Sequence, residues 1–472
     1  MIVAALLGCV GFLACLLDWR RGLLLCLAVG FLQDPLRKLT PGQPVAFVVL
    51  VGVFFAGCAI GYLLKHGLGG INSFFVWYPG LKAPIAAFVA LVVVSSGWTL
   101  LSTGNPVLAG MGLLSYLSPL VALFLGQRFC SSTIEISRWQ KVYVAGAIVV
   151  GAGILATFVG YQSRLLESIG ETVVFGRGGQ INMVSGLLRS SETAAWHTAT
   201  AACLVVIWSV ARRKSRAFWL GAATTLALLL AVVLTGRRKT LGEALLFLIV
   251  FGFLLARARI GASRLLRVAG GLFFGGAFLI LVLEGRGTGP SAWNPYFERS
   301  FSVVQDAGER LNQMVSVEQL GWIIEENGWL GRGAGTGSQG AQYFGGGASL
   351  VGWGAEGGLG KITAELGLPG ILVAFWLTLA IGLRLWRLAR SLPEIAPEHA
   401  LRFSGLVALI PANAVVFLTA HQVFGDPFVL IVLGLIASSA LAYPPIVARE
   451  RLVAEERSHH AAPGRRLESA PA

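Results

Sequence analysis

Long apolar stretches separated by short polar segments dominate this chain. A helix that crosses the hydrocarbon core of a bilayer needs about 20 mainly apolar residues, and many stretches approach that length. They run at 2–17, 22–33, 45–64, 83–101, 106–126, 141–160, 193–211, 217–234, 241–256, 265–284, 364–386, 401–420 and 428–444. The second is short enough to be only half-inserted. The pattern therefore predicts an all-α integral membrane protein with about 12–13 transmembrane helices.

The polar segments between these stretches divide into a basic set and a less basic set. Basic residues close to the spans favour the cytoplasmic side of a membrane. The basic set comprises 18–21, 128–141, 212–216, 257–267, 384–402 and the tail from Arg449. Because these segments alternate along the chain, the loops at 161–192 and 285–363 and the turns at 235–240 and 421–427 are expected outside.

Four regions follow from this topology. Residues 1–284 are expected to form transmembrane helices with an outer loop at about 161–192, and residues 285–363 a long extracytoplasmic loop between the tenth and eleventh spans. The long loop has helical apolar spacing in its first part and is Gly-rich further on. Residues 364–448 are expected to form the C-terminal spans, and 449–472 a disordered cytoplasmic tail.

Composition supports the membrane class. The mean hydropathy is +0.73, with 55% hydrophobic and 13% charged residues, and a soluble core of this size cannot hide so much apolar surface. The formal charge of +14 fits basic cytoplasmic loops, so no nucleic-acid partner is inferred. The chain has no CxxC, Walker or HExxH motif, and neither a cofactor nor a metal is expected. The first apolar stretch lacks a basic start and a clear cleavage site, so we expect it to be retained.

The basic turn at 235–240 is an exception to the topology, because outer loops are normally poor in Lys and Arg. It contains Arg237 and Arg238 between the spans at 217–234 and 241–256. One interpretation is a helix end with snorkelling cations. The other is a substrate site, since the guanidinium fork pairs the oxygens of a diphosphate. Adjacent residues cannot share one helix face, so at most one of the two arginines is expected to face a cavity.

Two other segments hold candidate chemistry. Glu356 closes the long loop just before a span and is a candidate catalytic group, whereas for Glu365 we prefer a role at the helix N-terminus. Arg189 and His197 lie at the outer mouth of the span at 193–211, where Ser190 or Ser191 is expected to cap the helix. Functional and packing roles both stay open for Arg189 and His197.

Two further polar segments have simpler interpretations. The segment 33–38 carries Asp34, Arg37 and Lys38 next to Pro35, and we favour a membrane-surface anchor there. The turn at 421–427 carries His421 and Asp426, and we favour an ordinary turn.

Three segments resemble motifs of one family. Thr235 to Leu241 is similar to a small-residue–Arg turn that opens a span, and Gly186 to Thr193 to the outer segment entering the preceding span. Trp329 to Gly335, followed by Glu356 and Ala364 to Gly370, is similar to a long periplasmic loop and its exit into a helix. From about Leu187 to Trp386 the chain therefore resembles the O-antigen ligase and O-antigen polymerase superfamily of bacterial membrane glycosyltransferases.

The resemblance implies an activity. Members transfer a glycan from an undecaprenyl-diphosphate donor to a sugar hydroxyl of a glycan or lipid-glycan acceptor, without a metal, at the outer face of the inner membrane. It implies that Arg237 or Arg238 holds the diphosphate, with Arg189 as a second candidate; His197 is retained as a substrate-binding candidate from its position. Family ligases carry a His before the exit helix, where this chain has Glu356, which is therefore the candidate base.

The missing His favours a polymerase of capsule or exopolysaccharide, or a divergent ligase, in surface polysaccharide synthesis. Membrane lipids, and other polysaccharide assembly proteins, are the further partners considered. Two alternatives stay open: an exporter or flippase of a polysaccharide or glycolipid, and a non-catalytic component of an envelope assembly complex.

Overall fold

A computed structural model describes residues 2–169, 173–176, 179–211, 215–261, 263, 265–271, 275–276, 296, 299, 316–338, 341, 357–419 and 423–461. The helices are α1 Ile2–Leu17, α2 Trp19–Leu39, α3 Leu50–His66, α4 Gly69–Trp77, α5 Lys82–Thr103, α6 Pro106–Phe129, α7 Thr133–Phe158, α8 Ser191–Ala211, α9 Ser215–Leu234, α10 Arg238–Arg257, α11 Val317–Asn327, α12 Gly358–Ile395, α13 Pro397–Thr419 and α14 Pro427–Ala461. Between α7 and α8, strands β1 Val173–Gly176 and β2 Gly179–Asn182 form an antiparallel hairpin that pairs Val173 with Asn182.

Ten helical segments of the described residues are long and apolar enough to cross a membrane. They are Val45–His66, Pro79–Thr103, Pro106–Phe129, Thr133–Phe158, Ser191–Ala211, Arg216–Leu234, Arg238–Arg257, Gly358–Ile395, His399–Thr419 and Pro427–Glu456. The chain is an all-α integral membrane protein, as its hydropathy predicts. Of the remaining expected spans, 2–17 forms the short helix α1, 22–33 lies within α2, and most of 265–284 lies outside the described residues.

Helix α2 is longer than its apolar stretch because a local cap at its start and tertiary contacts near its end satisfy polar residues there. Asp18 caps its start by accepting hydrogen bonds from the amides of Arg20 and Arg21. The helix continues through Pro35 to Leu39. Near that end, the Lys38 ammonium is buried and donates to three carbonyl oxygens, those of Leu165, Gly186 and Leu188. Lys38 therefore ties α2 to the connection between α7 and α8 rather than anchoring it at the membrane surface.

The polar contacts separate the two ends of the helical bundle. At one end, the starts of α8 and α10 meet the ends of α2 and α13, and we call it the Arg237 end. At the other, Arg20 pairs with Glu135 and His399 with Glu450, and we call it the Arg20 end. Helix α8 lies at the centre, since α7, α9, α10 and α13 all pack against it.

Helix α12 contains a sharp bend at Gly367, whose φ of 65° and ψ of −162° are not helical. A side chain there would collide with the Trp329 carbonyl oxygen, 2.1 Å from an ideal Cβ position. The same carbonyl accepts a hydrogen bond from the Leu368 amide at 2.9 Å. The bend thus lets the segment after α11 pack directly against α12.

Candidate functional site

The basic turn forms a compact connection at the start of α10. Gly236 has a φ of 68°, a left-handed conformation that glycine adopts without a steric cost. The Arg237 amide donates to the Thr235 hydroxyl at 3.2 Å, and the Thr240 hydroxyl donates to the Arg237 carbonyl at 2.7 Å. Arg237 consequently occupies the position before the first helical residue, Arg238, and the helix N-terminus adds a partial positive charge there.

The side chains of the turn diverge toward different helices. The Arg237 guanidinium donates from Nη1 to Glu192 Oε1 at 2.7 Å and from Nε to Ser191 Oγ at 2.9 Å, both at the start of α8. The Lys239 ammonium instead donates to the Thr419 carbonyl oxygen at the end of α13. Arg238 is half-buried. Cations from one turn are thus distributed around the α8–α10–α13 junction.

Arg189 lies between two buried carboxylates. Its Nη2 donates to Asp426 at 3.0 Å, its Nη1 lies 3.7 Å from Asp34, and its amide donates to Asp34 at 2.9 Å. The Arg189 side chain is 17% exposed and the two carboxylates 2–3%. Burial alone would lower the pKa of Arg189, but Asp426 and Asp34 outweigh it and raise that pKa. The cluster joins α2 to the starts of α8 and α14, and a phosphate would have to compete with both carboxylates for this arginine.

The expectations for Asp34 and Asp426, a surface anchor and an ordinary turn, are corrected by this cluster. Both side chains are buried partners of Arg189. Ser190 caps α8 as expected, because its hydroxyl accepts from the Thr193 amide at 3.3 Å.

His197 is enclosed in the bundle. Its side chain is fully buried, and the rings of Phe31, Trp196 and Phe428 surround it. The Tyr143 hydroxyl lies 3.0 Å from His197 Nδ1, while Nε2 has no hydrogen-bond partner among the described residues. A substrate would reach this ring only after those aromatic side chains moved, so substrate binding by His197 stays a prediction that the geometry does not favour.

A buried carboxyl that the sequence analysis missed lies in α10. Glu243 is fully buried. Its Oε1 accepts from the Thr200 hydroxyl at 3.0 Å and from the Asn413 amide at 3.3 Å, and Asn413 in turn accepts from the Trp196 indole at 2.7 Å. Oε2 has no hydrogen-bond partner within the described part of the chain. An ionisable residue inside an apolar span is a functional candidate by default, and that signal was present in the stretch 241–256.

The described part of the Gly-rich segment packs tightly against α5, α6 and α12. Gly333 and Gly335 have φ values of 109° and 95°, and an ideal Cβ at Gly335 would lie 2.1 Å from the Leu108 carbonyl oxygen. The irregular backbone that the glycines predict is present in residues 331–338. These glycines approach neighbouring helices closely, while close approach to a ligand stays a prediction.

Glu365 holds the Gly-rich segment in place. The role expected for Glu365, stabilising a helix N-terminus, is therefore corrected. The fully buried Glu365 carboxylate accepts from the Gly337 amide at 2.8 Å and from the Tyr116 hydroxyl at 2.6 Å. Lys361 lies 3.8 Å from the same carboxylate. The carboxylate thus connects α6, the Gly-rich segment and α12.

Glu356 and His421 lie outside the described residues, so the candidate base stays a prediction. Within the described ranges, no group of three or more His, Cys, Asp or Glu side chains converges as a metal site. No family model matches the chain, and no curated protein is significantly similar to it.

Proposed function

We propose that the protein transfers or polymerises a glycan from an undecaprenyl-diphosphate donor onto a sugar acceptor at the outer face of a bacterial inner membrane. The observation that carries the proposal is the set of cations at the start of α10, where Arg237, Arg238 and Lys239 follow a tight turn at the end of a membrane-spanning bundle. Their positive charge and the helix N-terminus both favour a diphosphate. The proposed role of Arg237 or Arg238 is to hold it and to stabilise the charge of the leaving group.

In the proposed site, Glu192 is a competitor for Arg237. A diphosphate that displaces this carboxylate gains a bidentate partner, and it leaves Glu192 near the start of α8, where the helix N-terminus stabilises its charge. Arg189, which is already paired with two carboxylates, has the role of holding α2, α8 and α14 in place around the cations.

Glu356 is the proposed base for the acceptor hydroxyl. In sequence it immediately precedes α12, the helix against which Glu365 secures the Gly-rich segment. In the proposed reaction the acceptor oxygen attacks the anomeric carbon, the hydroxyl proton passes to Glu356, and the undecaprenyl diphosphate leaves with the bonding electrons. In this proposal the Arg237 end faces outward, because the basic residues of the Arg20 end favour the cytoplasmic side of the membrane.

Labelled-donor transfer by the purified protein in proteoliposomes, with analysis of product length, tests the proposal. Arg237→Gln and Arg238→Gln are expected to raise the donor KM, by about 10–100-fold for the arginine that loses a charge-assisted pair. Arg21→Gln, an exposed arginine of the Arg20 end, is the matched control and should leave transfer unchanged. Wild-type transfer by the Arg237→Gln/Arg238→Gln double variant would exclude a role for these arginines in donor binding.

Glu192→Gln separates a substrate site from a purely structural ion pair. Removing the competing charge should leave the donor KM unchanged or lower it. If Glu192→Gln instead raises the donor KM as Arg237→Gln does, the Arg237–Glu192 pair acts by holding the fold.

One observation favours a second function, that of a polysaccharide or glycolipid exporter. Buried ionisable residues such as Glu243 often mark ion pathways in transporters. The two functions predict opposite outcomes on deletion of the gene. Loss of an exporter traps lipid-linked intermediates inside, whereas loss of a polymerase or ligase leaves unpolymerised units outside.

A further inference from the structure

A basic groove lies at the Arg20 end, at the opposite end of α10 from Arg237 and Arg238. Arg257 and Arg259, at and just beyond the end of α10, line it from one side. Arg390 and Glu394 of α12 line it from the other. The four side chains are exposed, and three arginines against one glutamate leave a net charge of +2. Among the described residues, none of the three guanidiniums pairs with a carboxylate, so their charge is available to a ligand.

An aromatic pair lies next to the groove, one helical turn from its arginines toward the membrane interior. Phe253 and Trp386 stack with ring centroids 6.3 Å apart and an interplanar angle of 8°. Phe253 precedes Arg257 by one helical turn, and Trp386 precedes Arg390 by one turn. The Arg257 guanidinium also lies over the Trp386 ring, 5.3 Å from its centroid. The rings stay 55% and 37% exposed, on helices that face lipid.

The arginines lie one helical turn nearer the Arg20 end than an aromatic, lipid-facing surface. This arrangement matches an amphiphile with an anionic head and apolar chains. Helix α13 packs against both α10 and α12, so it backs the groove between them. Trp residues prefer the headgroup level of a bilayer, and basic pockets between helices bind phosphate headgroups. We propose that this groove, lined by Arg257, Arg259 and Arg390 above the Phe253–Trp386 pair, binds one anionic phospholipid from the leaflet at the Arg20 end.

Binding of short-chain lipids to the purified full-length protein tests this site. The probes are dioctanoyl phosphatidylglycerol and dioctanoyl phosphatidylcholine, followed by native mass spectrometry and thermal shift. The groove variant is Arg257→Gln/Arg259→Gln/Arg390→Gln. We expect one tightly bound phosphatidylglycerol on the wild-type protein, and a loss of affinity of roughly a hundredfold in the groove variant, from the contribution of each cation near a headgroup. Phosphatidylcholine should bind weakly to both.

A control variant removes the same charge from the same end. Arg21, Arg138 and Arg216 are exposed arginines of the Arg20 end outside the groove, and their triple change to Gln should leave the bound lipid in place. Equal losses in the two triple variants would reduce the effect to general surface charge and overturn the proposal. Saturation by inorganic phosphate at the same concentration as the lipid would overturn it too, because the aromatic pair would then contribute nothing. Phe253→Ala should weaken lipid binding while leaving any phosphate binding unchanged.

Discussion

Replacing Arg189 by Gln should destabilise the protein strongly, because two buried carboxylates would lose their shared cation. Removing one partner of a buried ion pair typically costs about 3–5 kcal/mol. The backbone reduces that cost here, since Asp34 keeps the amide of residue 189 at 2.9 Å and Asp426 keeps the Phe428 amide at 2.8 Å. We therefore expect a loss of about 3 kcal/mol in the free energy of unfolding.

Equilibrium unfolding in mixed micelles, followed by tryptophan fluorescence, measures this loss. Adding Asp426→Asn removes one of the two orphaned charges, so the double variant should lose less than the sum of the single variants, with a coupling of about 0.5–3 kcal/mol. Arg21→Gln, which breaks an exposed pair with Asp18, should have no measurable effect.

The structural role of Arg189 would be refuted if Arg189→Gln unfolded like the wild-type protein. Loss of glycan transfer in such a stable variant would return Arg189 to the substrate site, where the resemblance makes it a second candidate for holding the diphosphate. A different result is that Arg189→Gln loses both stability and transfer, with neither recovered in Arg189→Lys. That result would agree with a buried ion-pair cluster that needs the guanidinium fork.

Substitutions at Glu243, Glu365 and Gly335 test three further contacts at or near the site. Glu243→Gln should keep the wild-type free energy of unfolding. Glu243→Leu should lose about 1–3 kcal/mol, because the Thr200 hydroxyl and the Asn413 amide lose their acceptor. Unfolding titrations in micelles compare the two variants, and equal free energies would contradict a stabilising role for these hydrogen bonds. Glu365→Ala should expose the Gly-rich segment, measured as faster hydrogen exchange at Gly337, and unchanged exchange would show that other contacts suffice. Gly335→Ala should reduce stability because its φ of 95° and the crowded Cβ position both oppose a side chain; Gly97→Ala, where the Cβ position is open, is the control.

Hydropathy predicts the membrane class and most spans because each apolar stretch carries its own signal. The extent of α2 is different, since Arg20, Arg21 and Lys38 read as boundaries in sequence. Residues more than one hundred positions away satisfy two of these charges, Glu135 for Arg20 and Gly186 for Lys38, whereas Arg21 pairs with nearby Asp18. A local pattern contains no information about such partners.

The candidate site likewise has features that the sequence predicts and partners that it does not. The turn around Arg237 stands out because its charge departs from the topology, and its side chain does meet the start of α8. The partners of Arg189 were not predictable, because Asp34 and Asp426 lie 155 and 237 positions away. Glu243 could have been noticed as an isolated acid within an apolar stretch, but nothing local indicates that Thr200 and Asn413 bind it.

Helix α8 has little surface left for lipid, since 89% of its membrane-spanning segment is buried inside the protein. At a mean hydropathy of 1.5 it is also the least apolar of the ten candidate spans in the described residues. One of its neighbours, α13, begins only at Pro397, so α8 leaves the ribosome long before that partner exists. Until then the Trp196 indole lacks its acceptor Asn413, and only the insertion machinery and the neighbours already made, α7, α9 and α10, can retain α8. We therefore expect quality-control proteolysis to act on the nascent chain mainly between the synthesis of α8 and that of α13.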